Sequence, residues 1–132
     1  MRKLKENEIE RITTGLKDIF EESINYDVDS LAFVKSFLNS PYFKNMTEDP
    51  TSRYVLFSPG YTLNSYLNKN KINKGQKLQK HELSWLADTI MDLMCEENMG
   101  ISAVASNVDN IMKYKEGIHF YSPKYIKDKC RN

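Results

Sequence analysis

The sequence is poor in the residues that break or cross-link a chain, with five glycines, four prolines and two cysteines among 132 residues. The shortage of glycine and proline argues against a β architecture of many tight turns. Two cysteines do not make a disulfide framework. No apolar run approaches the roughly 18 residues that would indicate a membrane span. The charged start, MRKLKENEIE, lacks the pattern of a secretory signal, so we expect a cytoplasmic, reducing location.

The sequence also lacks motifs that would identify a reaction. Its histidines and cysteines, His81, Cys95, His119 and Cys130, have no spacing that a structural zinc site uses. No glycine-rich phosphate loop occurs. Cys95 with His119 is the one nucleophile–base pair to consider, but a thiol near a helix C-terminus and among acids has a raised pKa. We therefore expect no catalytic residue, no metal and no cofactor, and hence a non-enzymatic protein.

The length and the apolar periodicity predict one compact, mainly α domain over residues 1–132, with five or six helices. Amphipathic patterns cover residues 3–24, 61–69, 80–98 and 101–115. A further helix starts at Asp29 or Ser30, which can cap it, and stops before Pro41. Ser58-Pro59 is a second cap followed by proline at the first helical position.

Several segments remain open to more than one prediction. Residues 53–57, RYVLF, are too few for periodicity to separate a helix from a strand, and we favour a short helix because its neighbours are helical. Residues 118–121 fit a strand stub or one arm of a short β-hairpin. Tyr42, Phe43 and Met46 are expected in a short segment at the edge of the core. We expect a basic connection at residues 69–80 and a frayed tail at residues 124–132.

The stretch from Lys80 to Gly100 carries the longest helical pattern and the single tryptophan. Leu83, Leu86, Ile90 and Leu93 fall within an arc of about 120°, the width of a stripe that faces a core. Trp85 lies about 200° away, among Glu82, Asp88, Asp92 and Glu96.

This second face is the preferred candidate for a function. A large, rigid indole beside charges that attract a basic partner is typical of an interaction hot spot. The alternative is that the central helix packs on two sides and that Trp85 is part of the core. The predicted partner-binding residues are Trp85, Glu82, Asp88, Asp92 and Glu96.

Lysine-rich segments provide a rival candidate. Five lysines without an acid lie in the basic connection, and more lysines alternate with Tyr114, Phe120, Tyr121 and Tyr125 near the end of the sequence. Basic residues among aromatic rings suit phosphate contact with base stacking. The residues proposed for nucleic-acid binding are Lys69, Lys71, Lys74, Lys77, Lys80, Lys124 and Lys127.

The composition favours protein binding over nucleic-acid binding and membrane binding. Net charge is +1, and arginine, the commonest reader of bases, is scarce. The amphipathic helices have acidic or mixed polar faces, whereas anionic membranes attract basic ones. We therefore expect an intracellular adaptor, inhibitor or regulatory subunit that binds a basic protein or a second copy of itself. A nucleic-acid-binding regulator is the alternative, and no membrane contact is expected.

Overall fold

The computed structural model describes residues 4–49, 58–115 and 121–130. The described residues form eight α-helices, which confirms the prediction of a mainly α fold. A 3₁₀ turn, Ser23–Asn25, follows the first helix. The helices are α1 (Glu6–Glu22), α2 (Ser30–Leu38), α3 (Pro41–Glu48), α4 (Pro59–Lys69), α5 (Lys80–Cys95), α6 (Ile101–Ser106), α7 (Val108–Met112) and α8 (Pro123–Lys129).

The helix number exceeds five or six for identifiable reasons. The pattern over residues 101–115 predicts one helix, but the chain breaks at Asn107 into α6 and α7. The segment after Pro41 is the helix α3 rather than a short edge segment. The alternatives for residues 53–57 lie outside the described residues, as do those for residues 118–120, so they stay predictions.

The long helices α1 and α5 pack against each other and form the centre of the core. The predicted stripe of α5 is buried, because Leu83, Leu86, Ile90 and Leu93 are all 0% exposed. The facing residues of α1 are 0–1% exposed and are Ile12, Leu16, Ile19 and Phe20. The apolar periodicity of both helices therefore predicted the central packing correctly.

Aromatic rings fill the space between α2, α3 and α4. The Phe37 and Tyr66 ring centroids are 5.3 Å apart at 69°, and those of Phe33 and Tyr66 are 5.9 Å apart at 81°. Such edge-to-face pairs add about 0.5–1.5 kcal/mol each beyond the area that they bury. This aromatic layer packs α2 and α4 together beside the α1–α5 pair.

Ser–Pro pairs start three of the helices. The side chains of Ser40, Ser58 and Ser122 accept hydrogen bonds from backbone N–H groups three residues later, and proline occupies the first helical position. The last of these pairs starts α8, whose Ile126 is only 3% exposed. Residues 123–129 are therefore a capped, amphipathic helix that docks on the core, and fraying of the tail over residues 124–132 stays a prediction.

Helix α5 is followed by a residue other than glycine with a left-handed backbone conformation. Asn98, with φ 57°, takes the left-handed conformation that we would assign to a glycine. The Met99 N–H donates to the Leu93 carbonyl at 3.0 Å and closes the helix end. Gly100 instead starts α6, with φ −71°.

Candidate functional site

The predicted partner-binding residues lie on α5 as the sequence indicates, but their face is only partly open. Asp92 and Glu96 each fall within about 20° of Trp85 on the helix. Thr89 lies on the same side and is 6% exposed. Trp85 is partly buried against the core, whereas Glu96 is exposed. The helix therefore packs on two sides around Trp85 and opens toward solvent near its C-terminal end.

Glu82 serves the fold. Its carboxylate accepts a hydrogen bond from the Gln79 backbone N–H at 2.9 Å and completes a capping box at the start of α5. It also forms an ion pair with Lys115. The hydrogen bond from Lys115, and then the one from Gln79, lower the pKa of Glu82. Glu82 therefore fastens the end of α7 to the start of α5.

Three carboxylates lie on successive turns of α5 and are called the acidic row: Asp88, Asp92 and Glu96. Asp88 pairs with Lys17 of α1 at 3.2 Å between its Oδ2 and the lysine Nζ. Asp92 has no ion-pair or hydrogen-bond partner for its carboxylate among the described residues. Burial, followed by repulsion from Glu96 and Asp88, raises the pKa of Asp92 to about 6.

The cysteine next to this row is not an activated thiol. Burial, and then the charges of Asp92 and Glu96, raise the pKa of Cys95, which confirms the expected direction. His119, its possible base, lies outside the described residues. Within residues 4–49, 58–115 and 121–130, no group of three or more His, Cys, Asp or Glu side chains could hold a metal ion.

The basic connection is docked on the start of α2. The Asp29 N–H donates to the Asn73 carbonyl at 2.8 Å, and its carboxylate accepts from the Gln76 N–H at 2.9 Å. The Ser30 Oγ accepts from the Leu78 N–H at 2.9 Å. Side chains of the N-terminal part of α2 therefore hold the connection in one conformation.

The lysines of this connection largely meet acids or carbonyls of the same chain. Lys74 pairs with Asp27 at 3.1 Å, and Lys80 pairs with Glu21 at 3.6 Å. Lys77 donates to the Ile24 carbonyl at 3.0 Å. Lys69 and Lys71 are exposed. Lysines and acids that are far apart in the sequence are therefore close together in the structure.

The second lysine group lies elsewhere. Lys127 of α8 donates to the Glu97 carbonyl at 2.8 Å, just beyond the C-terminal end of α5, and Lys124 is exposed. Lys80 is the first residue of α5, so the two groups are separated by about 22 Å of helix. Lys80 and Lys127 therefore lie toward opposite ends of α5.

A cluster of three tyrosines lies where α7 ends and α8 begins, and we call Tyr114, Tyr121 and Tyr125 the tyrosine cluster. The rings of Tyr121 and Tyr125 stack, with centroids 5.0 Å apart at 25°. Tyr114 meets both edge-on, at 5.1 Å and 5.8 Å. The Lys129 ammonium lies 5.2 Å from the Tyr125 ring centroid. The sequence shows these tyrosines among lysines but does not show that they touch.

A groove of about 620 Å³ lies where the end of α1 meets the residues before α5. Its charged lining includes Asp18, Glu21, Glu22 and Lys80, and Glu21 already pairs with Lys80. No histidine, cysteine or serine lines it, so the groove does not bring a nucleophile to a base.

Comparison with known proteins finds no matching family model, no matching curated protein and no matching solved structure. Among the described helices, none combines the length and the apolar character needed to cross a bilayer.

Proposed function

We propose that the protein is a small, non-enzymatic binding protein of the cytoplasm, which receives a basic segment of a protein partner along the acidic row of α5. The observation that supports this function is the carboxylate of Asp92, which is half-buried between two other acids and has no cation beside it in the described structure. Like charges one turn apart destabilise a helix. A partner's lysine or arginine would supply the missing counter-charge.

The row has the features that such contacts need. Asp92 and Glu96 are one turn apart, so an extended basic segment can meet both carboxylates along the axis of the helix. Hydrogen bonds to a charged, partly desolvated group contribute about 1.5–3 kcal/mol each. Trp85 lies two turns before Asp92 on the same side and is partly exposed, so an arginine of the partner can contact its indole ring.

Two of the acids that the sequence predicts for partner binding already have partners within the chain, which supports a smaller set of binding residues. Glu82 is engaged by Lys115 and by the capping box, and Asp88 is engaged by Lys17. Asp92 and Glu96 are the acids left for a partner, with Trp85 beside them. The proposal therefore depends on Asp92 more than on Trp85.

The test compares three immobilised proteins in affinity purification from an extract of the source cells, with quantitative mass spectrometry. These are the unmodified protein, Asp92→Asn and the control Glu10→Gln, which neutralises an exposed acid of α1. Some proteins should be retained by both the unmodified protein and Glu10→Gln. We expect the retained amount of these proteins to be at least about tenfold lower with Asp92→Asn, because loss of one charge-assisted contact costs about 1.4 kcal/mol or more.

Two results would contradict the proposal. One is that no protein is enriched over an unloaded support. The other is that the enriched proteins stay equally bound to Asp92→Asn, which would place their contact away from the acidic row. The substitution is nearly isosteric and removes a like charge, so loss of folding does not confuse the outcome.

A further inference from the structure

We propose that the tyrosine cluster and the lysines around it form a site for single-stranded nucleic acid. The cluster joins a residue that follows α7, a residue that precedes α8 and a residue of the first turn of α8. Tyr125 is 40% exposed, which leaves a large part of an aromatic ring in water. Aromatic rings held in a fixed arrangement are the platforms on which unpaired bases stack.

The charges around the cluster fit a polyanion. Lys113 and Lys124 are exposed and adjoin Tyr114 and Tyr125 in the chain. Lys129 lies over the Tyr125 ring. Asp109 of the neighbouring α7 is paired with Lys35 at 2.6 Å, which leaves Asp128 as the exposed acid of α8 without an ion pair in the described structure.

The position of Lys129 indicates how a strand would bind. Its ammonium lies over the Tyr125 ring, where a cation–π contact at an exposed site contributes about 0.5–1 kcal/mol. Stacking of a base on the ring contributes about 1–3 kcal/mol. A base can therefore replace the ammonium on the ring, and the lysine can then contact a phosphate.

The geometry favours a single strand over a duplex. Tyr121 and Tyr125 present the faces and edges of rings, which recognise bases only when those bases are unstacked from their neighbours. Base pairs in a duplex keep their faces covered. The scarcity of arginine agrees with binding of this kind, because stacking does not need bidentate contacts to base edges.

The test is fluorescence anisotropy of the full chain with a labelled single-stranded oligonucleotide of mixed sequence, with the matching duplex measured in parallel. We expect single-strand binding that weakens by about tenfold or more between 50 and 200 mM salt, as three phosphate contacts predict. Tyr125→Ala should weaken binding at least about fivefold. Tyr61→Ala, which alters a tyrosine of α4 that is 49% exposed, should leave it unchanged.

A second matched pair tests the charges. Lys124→Gln should reduce both the affinity and its dependence on salt, whereas Lys44→Gln, on an exposed position of α3, should change neither. If circular dichroism shows that Tyr125→Ala is unfolded, this pair of lysine variants still tests whether the tyrosine cluster binds single-stranded nucleic acid.

Three results would overturn the proposal. The first is the absence of single-strand binding at the lower salt concentration. The second is equal loss of affinity in the cluster variants and in their controls. The third is equal affinity for single strand and duplex, which would indicate attraction of lysines to phosphates without stacking.

Discussion

Asp92 is the side chain whose position is least explained by the stability of the fold. It is half-buried, one turn from Asp88 and one turn from Glu96, and these acids repel its charge. Asp88 at least has Lys17 within 3.2 Å. A carboxylate that raises the free energy of its own fold is typical of a residue kept for binding or catalysis.

The sign of the pH effect follows from the pKa of Asp92. The carboxyl has a pKa of 3.8 when unperturbed and of about 6 in the folded chain. Below 3.8 both states are protonated, so the group has no effect on stability. Between 3.8 and about 6 the unfolded chain loses this proton first, and the contribution of Asp92 to stability falls as pH rises. Above about 6 the destabilisation is constant.

We therefore predict that Asp92→Asn stabilises the protein at neutral pH. Because the side chain is partly open to water, which screens the repulsion, the gain should be about 1 kcal/mol in the free energy of unfolding. The gain should shrink toward zero as the pH falls below 4. Urea unfolding followed by circular dichroism at a series of pH values measures both effects.

Glu10→Gln serves again as the control, because Glu10 is exposed on α1 and its removal should change stability by less than about 0.5 kcal/mol. A gain for Asp92→Asn that does not vary with pH would mean that the amide forms a new contact. A loss of stability would show that the carboxylate has a stabilising partner.

Among the connections between helices, residues 70–79 are the clearest case of a segment that looks flexible in sequence and is held in the structure. Gly75 lies directly against Asp29, so that a Cβ on Gly75 would be 2.6 Å from the Asp29 Cβ. Asp29 cannot simply turn away, because its carboxylate is bonded to the Ala32 and Gln76 N–H groups. Close approach, and not an unusual backbone angle, requires glycine here.

Two glycine-to-alanine substitutions should consequently have opposite effects. Gly75→Ala should lower the free energy of unfolding by about 1–3 kcal/mol, because the added methyl group displaces Asp29 and its hydrogen bonds. Gly60→Ala should raise it by about 0.5 kcal/mol, because that position is in helix α4 and has nothing within 4 Å of the added atom. Thermal or urea unfolding of both variants measures the difference.

A neutral Gly75→Ala would show that the connection moves aside without cost and is not fastened to α2. A destabilising Gly60→Ala would show that the start of α4 needs the freedom of glycine. Each substitution thus has its own result that contradicts the prediction.

The sequence predicted those elements whose local signals and packing agree. The stripes of α1 and α5 repeat every three to four residues over four turns or more, and both helices appear as expected. Ser40-Pro41 carries the same cap signal as Ser58-Pro59, so α3 was available from the residues, although proline was interpreted only as the stop of α2. The break at Asn107 has no comparable signal, since Val104, Val108 and Ile111 keep one helical face.

The candidate site was less predictable because it depends on contacts between distant parts of the chain. Periodicity placed Trp85 with the acids of α5 correctly. It did not show that Lys17 and Lys115, which are far from α5 in the sequence, pair with two of those acids. The tyrosine cluster also depends on the packing of α8 against the core. The polar composition of the tail did not indicate this packing, because Ile126 is the single aliphatic residue of α8.

Across the whole molecule, acidic and basic side chains that are far apart in the sequence form ion pairs in the folded structure. The acids near the end of α1 and before α2 take up lysines of the connection, as in the Lys80–Glu21 and Lys74–Asp27 pairs. Each exposed pair contributes little, about 0–1 kcal/mol. Their arrangement nevertheless leaves two surfaces of opposite character, the acidic row of α5 and the tyrosine cluster with its lysines, and these carry the two proposals.

The tyrosine cluster is part of the folded domain only if α8 belongs to the same cooperative unit as α1 and α5. Ile126 is 3% exposed, and α8 packs on α5, where Lys127 also contacts Glu97. We predict that Ile126→Ala lowers the free energy of unfolding by about 2–4 kcal/mol. Lys124→Ala, on an exposed position of the same helix, should change it by less than about 0.5 kcal/mol.

Two probes can show whether that loss is shared by the whole chain. Trp85 fluorescence reports the centre of α5, and far-ultraviolet circular dichroism reports all helices together. In a single domain the urea midpoints from both probes coincide, and Ile126→Ala moves them by the same amount. Suppose that Ile126→Ala leaves the urea midpoint from Trp85 fluorescence unchanged, while part of the circular dichroism signal is lost at lower urea concentration. Then α8 unfolds separately from the rest of the domain. The tyrosine cluster would in that case form and dissolve independently of the acidic row.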